Sequence, residues 1–165
     1  MRKIKPKELS LEAFNKFGNF AKLINPDGPS VGPKIHEFFR DQLVFSYASP
    51  FPLGISVSHI QDRPRIITVT EIHRDTGEVL LPLTGDIYCH VGMCSGHSDP
   101  DYSSFEVFRV PKGTAIMLNN GVWHYAAFPC GKDDVDVMVL LPERTYANDC
   151  IVMQIPLEYQ FEIDV

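Results

Sequence analysis

The chain has 165 residues, 44% of them apolar and 22% charged, with a net charge of −6. That length suits one domain, here taken as residues 1–165, with a sizeable core, and the composition argues against disorder. The acidic balance excludes nucleic acid as a natural partner, because phosphate binding needs a basic face. No apolar run reaches the length of a membrane-spanning helix, and none of signal-peptide length follows the basic "MRKIKPK" start. A soluble cytoplasmic protein is therefore expected. Cys89, Cys94, Cys130 and Cys150 lack CxxC spacing. They read as reduced thiols with no assigned role.

In chain order, "LSLEAFNKFG" predicts a short N-terminal helix. Ser10 is its cap, Leu11, Phe14 and Phe17 form one face, and Gly18 follows its end. The Pro- and Gly-dense "NPDGPSVGP" (25–33) is a loop, and "KIHEFFRDQ" is ambiguous, with one helical turn as an option. The pattern then turns β. "QLVFSYA", "GISVSHI", "RIITVTEIH", "EVLLPL", "DIYCHVGM", "FEVFRV", "GTAIML", "VWHYAAF", "VDVMVLL" and "CIVMQIPL" are short runs rich in β-branched and aromatic residues, broken by Gly, Pro, Asp or Asn. So many short runs with so little helix predict an all-β antiparallel sandwich or barrel.

Polar chemistry gathers in "TEIHRDTGEVLLPLTGD" (70–86). Side chains alternate along a strand, so Val69, Glu71 and His73 share one face. Pairing the next run through a tight turn at "RDTG", as a hairpin, would bring Glu78 beside them. His124, next to the only Trp, is a fourth candidate. Two carboxylates and two imidazoles suit a borderline divalent ion such as nickel, zinc, iron or manganese. Taken singly, each residue has a plain structural reading: strand-end surface for Glu71 and His73, a turn for Glu78, a core histidine for His124. Only their joint spacing favours ligation.

That spacing, Glu71-x-His73-x4-Glu78-x6-Gly85, resembles the first motif of the cupins with Glu in place of the first His. "VPKGTAIMLNNGVWH", with Pro111-Lys112-Gly113 as its turn and His124 at its end, resembles the second. "LSLEAFNKFGNF", "ISVSHIQ", "EIHRDTGEVLLPLTGDIYCHVG", "GVWHYAAFP" and "NDCIVMQIP" occur in the order seen in ureidoglycolate lyases, so the chain resembles that family from Leu9 to Pro156. Departures from the family pattern are Glu78 for Gln, Leu118-Asn119 for Tyr-His, Tyr125 for the second His after Trp123, and Ser58-His59 for Asn-Arg.

The resemblance implies a cupin-like double-stranded β-helix, or jelly-roll barrel. It implies a homodimer, one divalent metal ion, and cleavage of ureidoglycolate to glyoxylate and urea in allantoin and purine degradation. Glu71, His73, Glu78 and His124 would be the ligand and catalytic set, with Tyr125 or His59 as proton donor. Ser58, His59, Arg74, Trp123 or Lys112 would meet the small carboxylate substrate. The substituted residues leave open a diverged cupin enzyme, or a non-catalytic cupin that binds a small acid.

Overall fold

The computed structural model describes residues 1–45, 47–96 and 99–165. Its strands are β1 (Arg2–Ile4), β2 (Lys7–Glu8), β3 (Gly18–Lys22), β4 (Leu53–Ile60), β5 (Ile66–Ile67), β6 (Val69–Ile72), β7 (Glu78–Pro82), β8 (Ile87–Gly92), β9 (Glu106–Val110), β10 (Thr114–Leu118), β11 (Trp123–His124), β12 (Phe128–Pro129), β13 (Val135–Pro142), β14 (Ile151–Gln154) and β15 (Phe161–Ile163). Two one-turn helices, α1 (Leu11–Phe14) and α2 (Thr145–Asn148), complete the regular α-structure among the described residues.

An antiparallel sheet in the order β3-β10-β7-β13-β4 faces a larger sheet in the order β14-β6-β11-β8-β9-β2, with β12 on β8. The main core lies between them. Leu80, Ile116 and Val137 come from the first sheet, and Cys89, Val91 and Phe108 from the second. A second core, with Trp123, Phe105, Ile72 and Phe161, lies on the other face of the larger sheet, beneath the small sheet β1-β15-β5. Strand alternation produces this division: on β8, Cys89 and Val91 enter the first core while Tyr88 packs against the second. The architecture is the expected all-β barrel.

Several local expectations change. Helix α1 ends at Phe14, although Ser10 caps it through a 3.2 Å bond from Ala13 N. Phe14 and Phe17 are buried, but Leu11 is exposed, because one turn cannot present all three to one face. Gly18 opens β3, where a side chain would collide with the Met117 carbonyl oxygen. "KIHEFFRDQ" forms no helix. Ser46 of "QLVFSYA" lies outside the described residues; among the others no strand forms, and Tyr47 makes an isolated bridge with Thr76. Phe39, Leu43 and Phe45 instead line a groove with Val79, Leu81, Met138 and Leu140 on the outer face of the five-stranded sheet. The β1, β2, β3 and β15 strands had no sequence signal strong enough to mark them.

The largest change concerns the connection after β6. β6 and β7 do not form a hairpin; they belong to opposite sheets. Residues 73–77 cross the barrel end. Gly77 is required there because a Cβ would overlap the Leu118 carbonyl oxygen.

Candidate metal centre

The crossing brings both sheets to one point. Glu71 faces inward from β6, and His124 is its direct cross-strand partner on β11. Glu78 begins β7 on the opposite wall, in register with Leu118 of β10. His73 projects from the first residue of the crossing. One ligand atom from each of these four residues lies within 4.8 Å of the others, and His73, Glu78 and His124 are buried. Ligands at ~2.1 Å from one ion stand up to ~4.2 Å apart, so closure by roughly half an ångström completes a coordination sphere.

The hydrogen bonds define which atoms face inward. His73 Nδ1 donates to the Asp149 carbonyl at 2.5 Å. His124 Nδ1 donates to the Val122 carbonyl at 2.9 Å. Both imidazoles therefore present Nε2 to the cluster. His73 Nε2 is buried without a hydrogen-bond partner, 3.4 Å from Glu78 Oε2. His124 Nε2 donates to the same oxygen at 2.5 Å. An orphaned imidazole nitrogen among two carboxylates and a second imidazole fits a divalent cation, which would take the place of the proton on His124. The cluster can hold a metal ion.

Electrostatics agree with the geometry. Burial alone would raise the Glu78 pKa, but the charge and hydrogen bonds of His124 and His73 bring it down to about 2. Burial would lower that of His124, but the charge and hydrogen bond of Glu78, with Glu71 adding to them, lift it to about 8. Without a metal, the pair is an imidazolium carboxylate. Cys150, which had no assigned role, donates through Sγ to Glu71 Oε2 at 3.4 Å.

The cluster opens on a cavity of about 250 Å³. Ile60, Leu80, Val137 and Val139 form apolar walls, and Ser58 and Tyr125 also line it. The Tyr125 hydroxyl makes no hydrogen bond within the described chain, and its residue also borders a 70 Å³ recess holding Arg63 and His90.

The structure places the other candidates elsewhere. His59 points away from Ser58, as neighbours on β4 must; it is exposed and bonded at 2.7 Å to Asp136 and near Asp134. Trp123, next to His124, faces the second core for the same reason. Arg74 and Lys112 do not line the cavity, and their backbone amides bind Asp149 and Asp86. Among the described residues, no Lys or Arg side chain lines it. Arg63 lies behind the wall, where it donates to the Ala126 and Ala127 carbonyls.

Sequence reasoning missed Asp149 and Cys150. They lie 76 and 79 residues from the partners they hold, so no local spacing marks them. Their presence in "NDCIVMQIP" was the only available signal.

A family model described as ureidoglycolate lyase matches residues 1–162. A search of curated proteins found no match. Among solved structures, Bacillus subtilis oxalate decarboxylase studied for its Mn(II) centres gives a TM-score of 0.45 at 14% identity, over 62% of this chain and 24% of that one. A second structure of that enzyme, addressing substrate binding and a reaction-specificity switch, gives a TM-score of 0.44 at 14% identity over the same shares. The chain thus spans about a quarter of the length of those decarboxylase chains.

Proposed function

The chain belongs to the ureidoglycolate lyase family, and from that premise we propose that it cleaves ureidoglycolate to glyoxylate and urea with the help of a borderline divalent ion. The observation that carries the reading is the inward-facing Glu71, His73, Glu78 and His124 cluster at the end of a small, mostly apolar cavity.

Ureidoglycolate bears a hydroxyl and a urea nitrogen on one carbon. Its cleavage removes the hydroxyl proton, forms the aldehyde C=O, breaks the C–N bond and delivers a proton to the departing nitrogen. His73, His124 and Glu78 would hold the ion, whose chemistry is to lower the hydroxyl pKa and polarise the forming carbonyl. Glu71 is the carboxylate less committed to ion pairing and the more exposed of the two, and it takes the hydroxyl proton. Tyr125, which borders the cavity, protonates the leaving nitrogen. Ser58 donates a hydrogen bond to the substrate. The apolar walls exclude bulk water and so strengthen these interactions.

One observation favours a second reading, in which the same centre serves a different small hydroxy acid. Two glutamates cancel the charge of a divalent ion, and no basic side chain lines the cavity among the described residues to receive a carboxylate. Glyoxylate release from racemic ureidoglycolate, before and after chelation and metal add-back, tests the first reading. Absence of turnover with every divalent metal, alongside activity on another hydroxy acid, would replace it with the second.

The functional unit is a homodimer in the cytoplasm, acting in allantoin and purine degradation. β4 supports the dimer: it is an eight-residue edge strand with Ile55 71% and Val57 61% exposed, a surface that pairing with a second copy would cover. Four free cysteines suit a reducing compartment. Sedimentation of the wild type and of Val57→Lys reports on the dimer, and a monomeric wild type would remove it from the reading.

A further inference from the structure

The cluster does not hold itself in place. Asp149, the residue that ends α2, and Cys150, which leads into β14, together grip the β6 side of it. The Asp149 carboxylate accepts the amides of Arg74 and Asp75 at 2.8 Å and of Thr76 at 3.2 Å. Those three consecutive donors belong to the crossing between His73 and Glu78, and they would otherwise need water at the barrel end. The Asp149 carbonyl accepts the His73 Nδ1 proton, and the Cys150 thiol reaches Glu71 Oε2. Beyond them β14 pairs with β6 in register, with Ile151 opposite Ile72 and Val152 opposite Glu71.

We propose that Asp149 and Cys150 are positioning residues of the metal centre: Asp149 selects the His73 tautomer and sets the span from His73 to Glu78, and Cys150 aims Glu71. This rests on the metal-centre reading given above. A neutral imidazole has two tautomers, and only the one protonated at Nδ1 leaves Nε2 free for a cation. A backbone carbonyl cannot be mutated away, but it stays in place because its own side chain is stapled to the opposite loop. Replacing that side chain frees both ends at once.

The test uses the full chain with Asp149→Ala, Asp149→Asn, Cys150→Ala and Cys150→Ser. Zn²⁺ affinity is read by competition titration, and the His73 tautomer of the metal-free protein by long-range ¹H–¹⁵N NMR. Asp149→Ala should weaken Zn²⁺ binding by about 10–100-fold, the range for partners that orient metal ligands. It should also give a mixture of His73 tautomers. Asp149→Asn should fall between it and the wild type. Cys150→Ala should weaken Zn²⁺ binding several-fold, because Glu71, although it serves as the base and not as a ligand, holds its charge beside the ion, and Cys150→Ser, which keeps a donor, should restore it. Wild-type affinity and a single tautomer in a folded Asp149→Ala protein would overturn the proposal. Should that variant not fold, unchanged Zn²⁺ affinity in both Asp149→Asn and Cys150→Ala would do so. If the wild type binds no divalent ion, the metal-centre reading fails, and the tautomer spectra alone decide the role of Asp149.

Discussion

His124 Nε2 donates to Glu78 Oε2 at 2.5 Å, a bond that joins β11 of the larger sheet to β7 of the five-stranded sheet across the barrel interior. In the metal-free protein this contact compensates two buried charges. A metal ion would sit where the shared proton is, so folding, protonation and metal binding are linked through one pair of residues.

The linkage fixes the pH profile of the metal-free protein. His124 is raised from 6.5 to about 8, so its contribution to stability is complete below pH 6.5 and is lost as pH rises through about 8. Glu78 is lowered from 4.5 to about 2, so its contribution is present above pH 4.5 and is lost as pH falls toward 2. The pair therefore stabilises most between pH 4.5 and 6.5. Thermal unfolding of chelated wild type should show a Tm that declines from pH 6.5 to 8, with a flatter profile in Glu78→Gln, where the partner charge is gone. Equal slopes in the two proteins would refute the linkage.

Metal binding should raise Tm. An ion present at one hundred times its Kd adds about 2.7 kcal/mol to the folded state. For a domain of this size, that corresponds to roughly 5–10 °C. His73→Ala or His124→Ala removes a ligand and should abolish the shift. Scanning calorimetry with and without Zn²⁺ decides the matter, and a shift retained in both variants would place the ion elsewhere.

Glu78→Gln should change metal and anion binding in opposite directions. Losing one carboxylate weakens the hold on the cation by about 10-fold or more, and leaves the loaded site with excess positive charge. Glyoxylate should then bind the metal-saturated variant more tightly than the wild type. Calorimetric titration of each ligand in turn measures both effects. Parallel losses of the two affinities would show that Glu78 acts through packing instead.

Tyr125→Phe should separate chemistry from binding. The hydroxyl has no partner within the described chain, so its removal should leave folding stability within about 0.5 kcal/mol of wild type. As proton donor to the departing urea, its loss should lower kcat by about 10²–10⁴-fold with little change in KM. A preserved kcat would transfer the donor role to another group or to water.

Gly77→Ala tests the crossing. The added methyl would collide with the Leu118 carbonyl, and backbone cannot swing aside as a side chain can. A loss of about 1–3 kcal/mol is expected, as for overpacking. Because Glu78 follows directly, Zn²⁺ affinity should fall with it. Chemical denaturation and metal titration on one preparation give both numbers, and wild-type values for each would show that the connection is more pliant than its contacts indicate.

Most of the strands could be read from alternation and breakers: "GISVSHI" became β4, "VDVMVLL" became β13 and "CIVMQIPL" contains β14. "QLVFSYA" misled because Leu43 and Phe45 line a groove on the outer sheet face from a loop while Val44 and Tyr47 are exposed, so an apolar composition there marks no strand. The single run "RIITVTEIH" divides into β5 and β6, which serve different sheets. β1 and β15 are three residues each, too short for any period to register.

The sequence by itself determined the all-β class, the family resemblance, and the four polar residues whose atoms converge, because alternation fixes which neighbours along one strand share a face. It could not determine which sheet each strand joins, since that depends on pairings between residues far apart in the chain. Tertiary structure therefore decided that Glu78 reaches Glu71 across the barrel instead of around a hairpin. It turned His59 to the surface and Trp123 into the second core, and it brought Asp149 and Cys150 against a cluster 76 and 79 residues away. Those contacts satisfy buried donors and acceptors that local sequence leaves open, and only the closed barrel supplies their partners.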